Sequence, residues 1–129
     1  MDNPLSAHTE RLSFQAGDLL QAVPPAWDRD DLYLLSAILH SLDDEDCIRV
    51  LDNLARAAGD SGARVALLEI VVPAHKDDLA SAAFDMQIFL GTPGKERTPA
   101  QWQDLFAQSA RRLDELIDLQ AIGKILVLA

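Results

Sequence analysis

The chain has 129 residues, 49% of them hydrophobic and 25% charged, the composition of one globular domain with a real core. Its 21 acidic against 11 basic residues give a net charge of −10, a field that repels a phosphate backbone and argues against nucleic acid as a partner. No basic amphipathic stretch or membrane-length apolar run occurs, and the single cysteine excludes an internal disulfide framework, so a cytoplasmic protein without a membrane partner is the default expectation.

Residues 1–10 are polar and predict a flexible N-terminus, and Met1-Asp2-Asn3-Pro4 carries neither the basic flank nor the apolar run of a signal peptide. Arg11 to Phe14 predicts a short strand closed by Gly17-Asp18, and Pro24-Pro25 forces an extended loop. Leu32 to Leu39 is apolar on both faces, the pattern of a central parallel strand, and places His40 at its carboxyl end. Open α/β sheets keep their ligands at such strand ends. Asp43 or Asp44 can cap the following helix, with Glu45 and Asp46 favourable at its positive end. Its apolar stripe is Ile48, Leu51, Leu54, Ala55 and Ala58, and Gly59 ends it.

Ala63 to Val72 is the strongest strand pattern, stopped by Pro73. Leu79, Ala82, Ala83, Met86, Phe89 and Leu90 form a second helical stripe, broken at Gly91-Thr92-Pro93-Gly94. Thr98-Pro99-Ala100-Gln101 combines a threonine cap, proline at the first helical position and a glutamine that can return the cap, with Trp102, Leu105 and Phe106 facing inward. Leu113–Leu119 and Lys124–Leu128 read as an antiparallel strand pair about a turn at Ala121–Gly123. Alternating strands and helices predict an α/β fold, mostly parallel, with a C-terminal antiparallel pair and helices on both faces.

Several motifs stand in collinear order. Leu39-His40-Ser41-Leu42-Asp43-Asp44-Glu45-Asp46-Cys47 is similar to the L-H-D-W-x-D-E-x-C signature of the S-adenosylmethionine-dependent O-methyltransferases, the plant-type and antibiotic-pathway family. Gly17-Asp18-Leu19-Leu20 resembles the family's G-D-M/F-F turn, Glu69-Ile70-Val71-Val72-Pro73 its E-x-V-x-P strand end, and Gly94-Lys95-Glu96-Arg97-Thr98 its G-x-E-R-T motif. The resemblance covers residues 11–129 and implies a partial Rossmann-like sheet, a truncated C-terminal catalytic subdomain. It implies His40 as general base flanked by Glu69 and Glu96, with Asp18, Leu19 and Ser36 near S-adenosylmethionine. Met86, Phe89 and Trp102 would lie toward a small phenolic or polyketide-like acceptor. A phenol has a pKa of about 10, and a histidine near about 6.5 can take its proton at neutral pH.

The chain also departs from the family pattern. No G-x-G-x-G occurs, the acidic residue that ends the family's second strand is absent, and so is the helical dimerisation domain. Ser41-Leu42 stands where the family has Asp-Trp. An open apolar edge at Leu32–Leu39 then predicts a homo-oligomer, or a partner chain that supplies the missing strands. Two alternatives to the enzyme remain: a non-catalytic binding or assembly protein, and a methyltransferase-like protein repurposed for hydroxylation or decarboxylation.

Bland readings stand beside these. Asp18 can be a turn residue, Glu96 and Arg97 a surface pair, and Met86, Phe89 and Trp102 ordinary core. Cys47 near a helix N-terminus is either a thiol of lowered pKa or a small core residue. His8 and His75 read as exposed loop residues. The acids at Asp43–Asp46 have no metal-ligand spacing, and no metal is expected.

Overall fold

The structure is a computed structural model that describes residues 11–73, 79–119 and 123–129. Its elements in chain order are β1 (Leu32–Ser36), a 3-10 turn (Leu39–Ser41), α1 (Asp44–Ala58), β2 (Arg64–Ile70), α2 (Leu79–Gly91), α3 (Pro99–Ala107), β3 (Leu113–Asp118) and β4 (Gly123–Leu128). The sheet order is β1-β2-β4-β3. β1 runs parallel to β2, which the intervening α1 makes possible; β2 with β4, and β3 with β4, are antiparallel. The expected C-terminal antiparallel pair is β3 and β4, and the parallel part among the described residues is β1 with β2.

Local chemistry accounts for the helix ends. Asp43 caps α1 by accepting from the Asp46 N–H at 2.8 Å, and Asp44, Glu45 and Asp46 lie at the positive end of the dipole. Gly59 closes α1 at φ +52°, a conformation that favours glycine, and donates to the Ala55 carbonyl at 3.0 Å. Thr98 and Gln101 form the expected reciprocal capping box on α3, with Pro99 in its first turn.

The core lies between the sheet and two helices. Cys47, Val50, Leu51 and Leu54 of α1 and Trp102, Leu105 and Phe106 of α3 pack with Leu35, Val65, Leu67, Leu126 and Leu128. The buried stripe of α1 is turned slightly from the expected one: Cys47 and Val50 are buried, whereas Ile48 and Ala55 are only half-buried. Leu35, Leu67 and Leu126 are register partners and share one sheet face, so α1 and α3 both cover that face rather than one each. On the opposite face Leu32 and Leu34 are exposed.

The other sequence expectations meet specific corrections. Arg11–Phe14 forms no strand: Leu12 and Phe14 are exposed, and no described strand lies beside them to take their hydrogen bonds. β1 ends at Ser36 rather than Leu39, because Ala37 adopts φ +54° and turns the chain into the 3-10 turn. β2 ends at Ile70, and Val71 continues only as an isolated bridge to Arg97. The apolar side chains Leu79, Met86, Phe89 and Leu90 of α2 are exposed, so that stripe is not core. Residues 1–10, His75 and most of the Ala121–Gly123 turn lie outside the described residues. No helix among the described residues is long and apolar enough to cross a membrane.

Candidate active site

His40 sits in the middle of the 3-10 turn that follows β1. Ala37 begins this reversal, and its N–H donates to the Leu68 carbonyl at 2.9 Å across the parallel pair. A non-glycine residue at positive φ stores strain, and such residues gather at functional sites. The sequence gives no sign of it, since alanine has no preference for that region. The Cys47 thiol donates to the Leu39 carbonyl at 3.2 Å, and burial pushes its pKa up to about 12. Of the two readings of Cys47, the core residue is therefore the one observed.

Strand alternation delivers the second group. Val65, Leu67 and Glu69 point to the core side of β2, and Glu69 is the last of them, at the carboxyl end. Its Oε1 accepts from the Ile38 N–H at 3.1 Å and the Leu39 N–H at 2.8 Å, which ties the carboxylate to the turn that carries His40. Glu96 arrives from the segment before α3. That segment is fixed by the Val71–Arg97 bridge and by the Val72 N–H donating to the Arg97 carbonyl at 2.9 Å. The Glu96 N–H in turn donates to Asp85 Oδ1 at 3.0 Å, so α2 helps to hold it.

The three side chains converge. His40 Nδ1 lies 2.8 Å from Glu96 Oε1 and 4.0 Å from Glu69 Oε2. The imidazole is 17% exposed, whereas both carboxyl groups are fully buried. Glu69 Oε2 and Glu96 Oε2 have no hydrogen-bond partner among the described residues. Leaving a buried acceptor unpaired costs roughly 1–3 kcal/mol, so the arrangement is not one that stability alone favours. Burial pushes the Glu69 carboxyl above its ordinary value; His40 and the Leu39 and Ile38 N–H groups pull it down, and Glu96 raises it further. With the Glu96 carboxylate on Nδ1, that nitrogen carries the proton in the neutral ring, and Nε2 is left as the basic nitrogen.

A cavity of about 160 Å³ adjoins this cluster, lined by Ser36, Ala37, His40, Leu68, Glu69, Ile70 and Gly123. Ser36 and His40 therefore share one space. Asp18 does not reach it: it lines a separate cavity of about 410 Å³ formed by residues 15–25, where its carboxylate accepts from the Leu20 N–H at 2.9 Å. Leu19 packs against the core, and its carbonyl accepts from Asn53 Nδ2 at 2.8 Å. Met86 and Phe89 are exposed on α2 and outside the His40 cavity.

Two expectations are corrected here. Trp102 is a core residue, 1% exposed, stacked on Phe106 at 5.8 Å and donating to the Ile70 carbonyl at 3.4 Å; it does not line the cavity beside His40. Glu96 and Arg97 are not a surface pair. Both are buried, and neighbours in an extended segment point to opposite sides, so Glu96 meets His40 while Arg97 meets Asp44 at 2.8 Å.

Residues 3–110 match the family described as O-methyltransferase domain. This chain belongs to that family. Columbamine O-methyltransferase of Coptis japonica is 34% identical over 122 residues, which cover 91% of this chain and 33% of that enzyme. Phenazine-1-carboxylate N-methyltransferase of Pseudomonas aeruginosa is 32% identical over 120 residues, covering 93% and 35%. The solved structure of CalO1, a methyltransferase in calicheamicin biosynthesis in its SAH-bound form, is 34% identical with a TM-score of 0.82, over 99% of this chain and 36% of that one. This O-methyltransferase domain chain thus spans about a third of the length of the relatives it matches. The fold is the Rossmann-like methyltransferase fold of those neighbours, in partial form.

The cavity that Ser36 shares with His40 is smaller than a whole methyl donor needs. Small-molecule sites are usually about 300–1,000 Å³, and the cavity shared by Ser36 and His40 is about 160 Å³.

Proposed function

We propose that this chain carries the proton-removing part of an S-adenosylmethionine-dependent O-methyltransferase acting on a small phenolic or polyketide-like molecule. The observation that carries the reading is the 2.8 Å contact between His40 Nδ1 and a fully buried Glu96 carboxylate. A solvated surface pair has no need of that burial.

His40 Nε2 takes the acceptor's hydroxyl proton. Glu96 holds the ring in the required tautomer and stabilises the imidazolium that forms, the division of labour of the hydrolytic triads. Glu69, at 4.0 Å, adds a second carboxyl to that cation and secures the turn through Ile38 and Leu39. Ser36 stands where it can meet the donor, and Asp18 and Leu19 belong to its adenine end by resemblance. When bound, S-adenosylmethionine supplies a methyl group on a positively charged sulfur, which the deprotonated oxygen accepts. Met86 and Phe89 are the exposed apolar surface proposed for the acceptor. Asp85, next to Met86, holds Glu96, so that surface is tied to the base.

A second reading has its own support: the small cavity favours a chain that cannot hold the donor by itself. Calorimetric titration with S-adenosylhomocysteine separates the two. Micromolar binding that survives His40→Ala supports the enzyme. Absence of binding up to millimolar concentration supports a non-catalytic or assembly role, or one that needs a partner chain.

A further inference from the structure

We infer that Arg97 is a positioning residue for His40, a role that rests on the reading of His40 as the base. Arg97 is 1% exposed. Its Nη1 donates to the Leu39 carbonyl and its Nη2 to the Leu42 carbonyl, both at 3.1 Å. Those carbonyls stand on either side of His40. Nε and Nη2 also bond Asp44 Oδ1, at 3.1 and 2.8 Å, and Nη1 reaches the Lys95 carbonyl at 3.4 Å. The guanidinium carbon lies 5.3 Å from the centre of the Trp102 ring, so an aromatic face supports the cation from one side.

This geometry uses what distinguishes arginine from lysine. One planar fork reaches two carbonyls and a carboxylate at once, where an ammonium would have to choose. The same segment holds the turn in two further ways. A Cβ on Gly94 would sit 2.0 Å from the His40 carbonyl oxygen, so the two backbones are in direct contact. Glu96 takes the imidazole itself at 2.8 Å. Gly94 therefore sets the distance of the turn, Arg97 fixes its backbone, and Glu96 reads out the result as a tautomer. The Leu39 carbonyl also accepts from the Leu42 N–H at 3.1 Å and the Cys47 thiol at 3.2 Å, so without the fork the turn persists but loses the link that joins both of its ends to the segment carrying Glu96, and the imidazole loses its register on that carboxylate.

The test is ¹⁵N NMR of the histidine ring in wild type, Arg97→Lys and Asp44→Asn, with the His40 signals assigned by their loss in His40→Gln. Wild type shows His40 predominantly protonated on Nδ1. In Arg97→Lys the two ring nitrogens shift toward the averaged positions of an exchanging pair of tautomers, while circular dichroism stays native. Asp44→Asn keeps an oxygen for the fork but removes the negative charge that anchors it, without removing the buried cation, and gives a smaller shift in the same direction. It decides the matter if Arg97→Lys does not fold. Unchanged His40 tautomers in folded Arg97→Lys, or in Asp44→Asn where the lysine variant is unfolded, overturn the inference. A shifted tautomer in a protein whose methyl transfer ignores His40→Gln keeps the positioning role and sinks the general-base reading instead.

Discussion

The backbone of Gly94 rests directly on the peptide of His40: a Cβ on Gly94 would lie 2.0 Å from the His40 carbonyl oxygen and 2.7 Å from the carbonyl carbon of Ser41. Neither atom is the free end of a side chain, so nothing nearby can yield cheaply. Gly94→Ala must push the His40 turn away from Glu96. Overpacking of this kind costs about 1–3 kcal/mol. Urea denaturation should show a lowered midpoint with the slope unchanged. An unchanged midpoint would mean that the approach is looser than the geometry says.

Glu69 predicts a pH dependence with a definite sign. The unfolded carboxyl titrates at its ordinary value of 4.5, and burial raises the folded one above it. Between the two values the native state holds the extra proton, so stability falls as pH rises through that window. The contribution is complete below the unfolded value and gone above the folded one. Glu69→Gln keeps an oxygen for the Ile38 and Leu39 N–H groups and cannot ionise. Its denaturation midpoints, followed between about pH 4 and about pH 8, should fall less steeply than those of wild type. Parallel curves for the two proteins would refute this.

Cys47 is predicted to be inert in the folded protein. Its thiol is buried against the Leu39 and Leu42 carbonyls with a pKa pushed up to about 12, so the reactive thiolate is scarce at neutral pH. Labelling with a thiol-specific disulfide reagent should be slow in buffer and fast in urea. Rapid native labelling would show that the turn opens readily.

Among the described residues β1 is an edge strand, and it carries Leu32 and Leu34, 54% and 66% exposed, beside backbone groups that β2 pairs on one side only. An exposed apolar edge templates pairing with another chain. Light scattering of this 129-residue chain at micromolar concentration is predicted to give an oligomer that Leu34→Lys weakens. A clean wild-type monomer would end that expectation.

How far the sequence could be read depended on the range of the interaction involved. Caps and alternation are local, so Asp43, Gly59, Thr98 with Gln101, and the β3–β4 pair stand where the pattern put them. The end of β1 was not legible, because it turns on a positive φ at Ala37 that the alanine side chain does not announce. The apolar residues of α2 suggested a core stripe, but apolarity by itself does not supply a neighbour, and Met86, Phe89 and Leu90 remain exposed. Within the site, His40, Glu69 and Glu96 came from motifs, and their convergence across residues far apart in sequence is a tertiary fact. Arg97 was the clearest miss. Read beside Glu96 it suggested a surface pair, whereas its partners are Asp44 and the carbonyls of residues 39 and 42. Gly94 stands in the sequence as a helix breaker and as the start of a motif, and only the fold shows what it lies against.

The central claim is that His40 removes the acceptor's proton with Glu96 behind it. The most direct measurement is transfer of labelled methyl from S-adenosylmethionine to phenolic acceptors, by wild type and by His40→Gln, with donor binding measured alongside. The account predicts transfer by wild type and a loss of at least about a hundredfold in the variant, with donor affinity unchanged. Equal rates in the two proteins, or no transfer by wild type to any phenol tested, would contradict it.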